Sequence, residues 1–378
     1  MYTFVLAPDS FKESMTAIEA CNAMESGIKA VFPEANVIAK PMADGGEGTT
    51  NAIVISQNGQ FKTLEVVGPL GHPVEAKYGL INNGTVAIIE LAEASGIQLV
   101  PIQQRNPLIT TTYGTGMLMK DAIENGAKKI IIGLGGSATN DGGAGLAQAL
   151  GVKLLDANNN EIGFGGGSLS NLVTIDNSDN LILKNNIEIE IASDVTNPFI
   201  GQKGASAIFG PQKGATPEMV TILDQNLGHF ASKIKQASQI DVSNIPGAGA
   251  AGGTGGGLMG LFDAKMKKGI ELVIEYSGLE EVIPQADFVF TGEGSMDLQT
   301  QYGKTPYGVL LLAKKHKKKV FAFAGKLSDH NNIYSCGFDA VFSIMQGVST
   351  LENALYTGKD NLKRSVESVC KVIKSLKN

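Results

Sequence analysis

Arginine is nearly missing from this chain: Arg105 and Arg364 are the only two in 378 residues. Any phosphate or carboxylate it binds must be met almost everywhere by lysine, hydroxyls and backbone N–H groups, not by guanidinium forks. Cysteine is equally sparse. Cys21, Cys336 and Cys370 are odd in number, far apart and without a CxxC pair. They read as buried or incidental thiols in a reducing compartment, not as a disulfide framework or zinc site. The histidines, His72, His229, His316 and His330, show no HxH or HExxH spacing, which argues against a zinc site or a histidine-based catalyst.

No apolar run reaches membrane-spanning length. The opening Met1-Tyr2-Thr3-Phe4-Val5-Leu6-Ala7 has no basic n-region and soon meets Pro8 and Asp9. It is expected to be a buried strand, not a signal peptide, in a cytoplasmic protein without a membrane partner. Basic excess is lacking too: the formal charge is −6, which speaks against a nucleic-acid partner. Lys314-Lys315-His316-Lys317-Lys318-Lys319 is the exception, and it ends a helix-like run, where cations complement the helix dipole.

What is present is a well-folded composition, 43% hydrophobic and 18% charged, on a chain long enough for two domains. Glycine, at 47 residues, falls in clusters, which points to several tight loops. Strand-like residues 3–7 lead to Thr16-x-x-Glu19, a capping box opening a helix with Ile18, Cys21, Ala23 and Ile28. Strand-like 36–40 follows. The C-terminal part resumes the rhythm with strands at 287–291, 320–324 and 340–344. Its last helix places Leu362, Val366, Val369, Cys370, Ile373 and Leu376 on one face. Apolar strands separated by helices predict a parallel sheet covered on both sides.

The middle reads differently. Segments 61–67, 74–81 and 85–91 resemble a meander with Asn83-Gly84 as a hairpin turn. Segments 130–134 and 187–192 are strand-like, while 115–125 and 141–150 favour helix. The fold class is therefore α/β, with a mixed second domain (61–285) inserted into a first domain built from 1–60 and 286–378. A cleft between two such domains is the usual seat of a small ligand.

Six loops at the ends of predicted strands gather acids, hydroxyls, lysines and glycines, where open α/β sheets bind ligands. In Asp9-Ser10-Phe11-Lys12, Ser10 and Lys12 suit an anion near a helix N-terminus, or simply cap a turn. In Asp44-Gly45-Gly46-Glu47-Gly48-Thr49, Asp44 and Glu47 suit Mg²⁺, a base or substrate hydroxyls. The third, residues 133–145, includes Gly135, Gly136, Ser137, Thr139, Asn140 and Asp141. It has the composition of a phosphate cradle, with tight strand–helix packing as the bland reading, and it does not end as a Walker loop does. In the fourth, Asp194 closes an alternating strand, placed to orient or deprotonate a hydroxyl or to make an Asx-turn.

The fifth loop contains Gly247-x-Gly249-x-x-Gly252, followed by Gly253 and Thr254. It matches a dinucleotide fingerprint but lacks the preceding strand and the later acid, so a nucleotide-covering loop is the better expectation. The sixth, residues 287–297, offers Glu293 and Asp297 as further carboxylates and runs on to Gly303-Lys304-Thr305. That end mimics a P-loop, yet Leu298 stands where its first glycine belongs. Lys304 can still meet a phosphate as a point charge. Arg105 is either a bidentate hold on a substrate carboxylate or a surface residue.

Taken in order and spacing, Asp9-Ser10-Phe11-Lys12, Asp44-Gly45-Gly46-Glu47-Gly48-Thr49, the 135–143 run, Ser193-Asp194-Val195-Thr196-Asn197-Pro198 and Thr291-Gly292-Glu293-Gly294-Ser295-Met296-Asp297 resemble the bacterial type I glycerate kinase family, from Phe4 to beyond Gly347. Glu13 departs from it, standing where the family often has glycine, which would stiffen one turn. The resemblance implies a flavodoxin-like domain from both chain ends and an inserted domain of restriction-endonuclease-like topology. It also implies transfer of the ATP γ-phosphoryl group to D-glycerate with Mg²⁺, at the 2-hydroxyl, giving 2-phosphoglycerate.

On that basis the 133–145 and 247–257 loops are expected to hold nucleotide phosphates, and Lys12 and Lys304 to neutralise the transferring oxygens. Asp44, Glu47, Glu293 or Asp297 would hold Mg²⁺, with Asp297 also among the catalytic residues; Asp9, Ser10, Asp44, Glu47, Arg105 and Lys304 would line the substrate site. Asp194 is the first choice for the carboxylate near the glycerate hydroxyl. Phosphorylation at the 3-hydroxyl, a hydroxy-acid dehydrogenase and a non-catalytic metabolite binder remain rivals, and monomer and homodimer are both open.

Overall fold

The computed structural model describes residues 1–46, 48–297, 300, 304–328 and 330–376. Its strands, in chain order, are β1 (Thr3–Leu6), β2 (Asn36–Ala39), β3 (Gln60–Val67), β4 (Pro73–Ile81), β5 (Val86–Glu90), β6 (Lys129–Gly133), β7 (Lys153–Leu155), β8 (Thr174–Asp176), β9 (Glu188–Ala192), β10 (Lys265–Lys267), β11 (Phe288–Met296), β12 (Lys319–Leu327) and β13 (Ala340–Ser343). The chain divides into two compact units, one of Met1–Asp44, Asn51–Asn58 and Ile270–Asn378, the other of Gly45–Thr50 and Gly59–Gly269.

In the first unit five strands form one sheet in the order β13-β12-β11-β1-β2, and every neighbouring pair is parallel. Phe4 pairs with Val37 on one side and Phe288 on the other. The two ends of the chain therefore share a sheet, which periodicity alone does not reveal. Parallel strands are buried on both faces, hence their apolar runs. One face carries Phe4, Leu6, Phe290 and Phe323 into a core with helices Ala17–Lys29 and Gly358–Ser375.

The first of those helices opens on the expected capping box. Thr16 Oγ1 accepts from Glu19 N at 3.2 Å and Glu19 Oε2 accepts from Thr16 N at 2.9 Å. Gly27 lets the two helices close up, since a Cβ there would lie 2.5 Å from the Lys363 carbonyl oxygen. In the last helix Leu362, Val366, Val369, Cys370 and Ile373 are buried as their period predicts. Leu376 differs: it stands 84% exposed, because the helix ends at Ser375. Two lysines of the basic run are paired, Lys314 with Asp339 at 2.8 Å and Lys315 with Glu280 at 2.6 Å.

The second unit has a six-stranded mixed sheet, order β10-β9-β6-β5-β4-β3, and the antiparallel pair β7-β8. The β3-β4-β5 meander is antiparallel, while β5, β6, β9 and β10 run parallel. Asn82, Asn83 and Gly84 make the hairpin turn with three consecutive left-handed φ angles, 52°, 56° and 84°. Asn and Gly tolerate that region best. Among the described residues, no helix is long and apolar enough to cross a membrane.

Candidate functional site

In the first unit the strands deliver their carboxyl ends to a cluster of acids. Asp9 follows β1, and its backbone N–H donates to Gly292 of β11 at 2.9 Å, which ties the two loops together. Its Oδ1 accepts from Ser10 N at 2.6 Å and its Oδ2 from Thr305 Oγ1 at 2.5 Å. Burial raises the Asp9 carboxyl to about 6; the charge of Asp44 adds to the rise, against the bonds from Thr305 and Ser10.

Glu293, near the end of β11, accepts from Thr300 Oγ1 at 3.1 Å. Lys304 Nζ lies 3.8 Å from Glu293 Oε2 and 3.7 Å from Asp297 Oδ1. Burial lifts Glu293 to about 7; Lys304 and Thr300 oppose the rise, while Asp9 and Asp297 add to it. Asp9, Asp44, Glu293 and Asp297 thus influence one another electrostatically, with Lys304 as a counter-charge. Two of them titrate close to neutrality, as a group accepting a hydroxyl proton requires.

Among the described residues no three Asp, Glu, His or Cys side chains converge to hold a metal. Mg²⁺ does not demand such a cage, because it is usually held through one or two carboxylates plus substrate phosphates. The acids of this cluster fit an ion that arrives with a nucleotide.

The second unit builds a different arrangement at the carboxyl end of β6. Gly135 and Gly136 are exposed, whereas Ser137, Thr139, Asn140 and Asp141 are buried. Asp141 Oδ2 accepts from Thr112 N and Thr112 Oγ1, both at 2.9 Å, and from Gly145 N at 3.4 Å. Its Oδ1 accepts from Gly143 N at 3.1 Å. Burial raises its pKa in spite of these bonds. Asp141 therefore braces the loop from inside.

Lys213 reaches the same loop: its Nζ donates to Ser137 Oγ at 2.7 Å and to the Thr139 carbonyl at 2.6 Å. Asn140 Nδ2 donates to Ser206 Oγ at 2.9 Å. Thr139 Oγ1 and Asn140 Oδ1 are buried with no hydrogen-bond partner among the described residues.

The 247–257 loop packs backbone to backbone against this one. Gly142 N donates to the Gly252 carbonyl at 3.0 Å. A Cβ on Gly252 would lie 2.0 Å from the Thr139 carbonyl oxygen, and one on Gly257 2.1 Å from that of Gly142. Gly252 and Gly257 thus serve a close approach of two loops. Gly253 and Thr254 are buried, and Thr254 Oγ1 donates to Ala251 O at 2.9 Å.

These elements have known counterparts. The sequence profile of the glycerate kinase family matches residues 4–374. A glycerate 2-kinase of Escherichia coli is 50% identical over 366 residues, 97% of this chain and 96% of its own. A glycerate kinase of Bacillus subtilis is 49% identical over 374 residues, covering 99% and 98% of the two chains. The solved structure of a candidate glycerate kinase 2 from Salmonella typhimurium, 46% identical, matches with a TM-score of 0.91 over 100% of this chain and 99% of its own.

The chain belongs to the glycerate kinase family.

Within this family member, the sequence-selected residues fall into two groups. Asp9, Ser10, Asp44, Glu293, Asp297 and Lys304 gather in the first unit, and Lys12 is exposed on the turn after Asp9. Glu13, the departure noted above, sits in that turn at a left-handed φ of 64°. Glu47 and Gly303 lie outside the described residues. In the second unit Asp194 is exposed just past β9, and Arg105 donates through Nη1 to Gln212 O at 3.3 Å.

Three residues receive no site role from sequence: Thr305, Lys213 and Glu90. Glu90, 8% exposed at the end of β5, accepts from Thr50 N at 2.8 Å and Gly48 N at 3.3 Å. An acid closing the apolar run Val86-Ala87-Ile88-Ile89 was the available signal. For Lys213 there was none beyond its place between glycines.

Proposed function

We propose that this protein transfers the γ-phosphoryl group of ATP to the 2-hydroxyl of D-glycerate, giving 2-phosphoglycerate and ADP. The observation that carries this reading is the 50% identity to a glycerate 2-kinase across 97% of the chain. The cluster around Asp9 and Glu293 supports it, because it offers carboxylates that titrate near neutrality beside a lysine.

In the reaction the glycerate oxygen bonds to the γ-phosphorus, the bond to the ADP oxygen breaks, and the hydroxyl proton passes to a carboxylate. Asp194 is assigned that proton. Lys304 and Lys12 are assigned to the charge on the transferring oxygens, with Asp9 and Ser10 in the substrate site. Arg105 is assigned to the substrate carboxylate. The Mg²⁺ carried by ATP supplies charge neutralisation at the phosphate oxygens; Asp44, Glu47, Glu293 and Asp297 are the acids that would hold it. The 133–145 loop, braced by Asp141, is assigned to the nucleotide, with Gly252, Gly253 and Thr254 shaping it from behind. The first unit is taken as the flavodoxin-like domain and the second as the inserted one.

An enolase-coupled assay tests the reading. With the protein, ATP, Mg²⁺, D-glycerate and enolase, and no phosphoglycerate mutase, phosphoenolpyruvate forms only from the 2-isomer. Its absorbance should rise at a rate proportional to the protein. ADP release without phosphoenolpyruvate would move the acceptor to the 3-hydroxyl, and no ADP release would reject the kinase.

A further inference from the structure

Lys213 is 2% exposed, and an ammonium so deeply placed is costly unless it is fully used. Both of its hydrogen bonds, to Ser137 Oγ and to the Thr139 carbonyl, go to the glycine-rich loop after β6. The turn Pro211–Lys213 that delivers it closes on Gly214 at φ 91°, where a Cβ would lie 2.3 Å from the Arg105 carbonyl oxygen. Arg105 in turn donates to Gln212 O. A glycine and an arginine thus fix the turn, and the turn aims one lysine at one loop.

That loop is unusual in a second respect. Among the described residues Thr139 Oγ1 and Asn140 Oδ1, both buried, have no hydrogen-bond partner. Buried polar atoms are normally satisfied, so two orphans beside the exposed Gly135-Gly136 are groups left over for a ligand or its water.

We propose that Lys213 is a positioning residue for the nucleotide: it pins Ser137 and Thr139 so that the 135–140 backbone keeps the shape that receives the phosphates. This rests on the kinase reading above and on the assignment of this loop to ATP. Its proton state matters to the clamp. The ammonium donates to both partners, whereas the neutral amine can accept from the Ser137 hydroxyl. Burial lowers its pKa to about 7, opposed by the charge of Asp141. Asp141, inside the loop, is the charge that acts on it, and Arg105 touches the turn at Gln212 O.

Calorimetric titration with a non-hydrolysable MgATP analogue tests the proposal on wild type, Lys213→Met, Ser137→Ala and the double variant. Lys213→Met should weaken binding at least about tenfold, and the double variant should bind no more weakly than Lys213→Met alone, because both changes break one clamp. Wild-type affinity should fall as pH rises through about 7 more steeply than that of Lys213→Met. If Lys213→Met does not fold, Ser137→Ala alone decides, with weakening of about threefold or more expected. Folded variants that bind within twofold of wild type, with the same pH dependence, would overturn the proposal. Wild-type enzyme that neither binds the analogue nor phosphorylates glycerate would instead overturn the kinase reading beneath it.

Discussion

Asp9 and Thr305 stand 296 positions apart in the chain and share a hydrogen bond of 2.5 Å. The contact joins the loop after the first strand to the first residue of the helix Thr305–Lys315. It exists because β1 is flanked by β11, which brings the two chain ends into one sheet. Thr305 donates to a carboxyl that burial otherwise drives toward its neutral form.

Thr305→Val should therefore raise the Asp9 pKa above about 6. A hydrogen bond to a charged group contributes about 1.5–3 kcal/mol, so kcat/KM at neutral pH should drop on the order of tenfold or more. The acid limb of the pH profile should move to higher pH. A profile superimposable on wild type would show that the Asp9 charge has no part in turnover.

The same carboxyls set a stability gradient. Asp9 is raised from 3.8 to about 6 and Glu293 from 4.5 to about 7. A raised acid holds a proton in the folded state that the unfolded chain gives up. Its stabilisation is present below the unfolded pKa and lost as pH rises through the folded one. Between about pH 4 and 7 the unliganded protein should lose stability from these groups, up to about 3 kcal/mol each. Asp9→Asn should thus melt a few degrees higher than wild type at about pH 8 while losing activity. A lower melting temperature there would refute the assignment.

Asp194 is exposed, so its removal should touch chemistry more than folding. Asp194→Asn should lower kcat by roughly 10²–10⁴-fold if it takes the hydroxyl proton. The unfolding free energy should change by no more than about 0.5 kcal/mol, as is typical of surface sites. Turnover close to wild type would remove it from the catalytic role.

Two glycines separate close packing from mere loop flexibility. Gly252 has φ 65° and a would-be Cβ 2.0 Å from the Thr139 carbonyl oxygen, whereas Gly201, at φ 92°, faces open space. Gly201→Ala should cost about 1–2 kcal/mol for its backbone conformation. Gly252→Ala adds overpacking of about 1–3 kcal/mol or more and should fold poorly. Equal denaturation midpoints for the two variants would contradict the backbone-on-backbone contact.

These cases also mark what could be inferred from the residues alone. Local signals carried far: Thr16 and Glu19 make their capping box, Asn83-Gly84 turns its hairpin, and the last helix buries its periodic face up to Ile373. Each depends on neighbours within a few positions. The pairing of Phe4 with Phe288 does not, and neither does the bond from Thr305 to Asp9. Lys213 receives no role from sequence because a lysine between glycines looks solvated until the fold buries it. The glycines of the 247–257 loop resemble a nucleotide fingerprint, yet Gly252 and Gly257 serve an approach to residues more than a hundred positions earlier, which spacing cannot encode.

The central claim is phosphorylation of glycerate, and phosphorus NMR of the purified protein with ATP, Mg²⁺ and D-glycerate tests it most directly. A 2-phosphoglycerate resonance should grow, matched by the loss of ATP and the gain of ADP. A 3-phosphoglycerate resonance would contradict the assigned hydroxyl, and a folded protein that leaves ATP and glycerate unchanged would contradict the account itself.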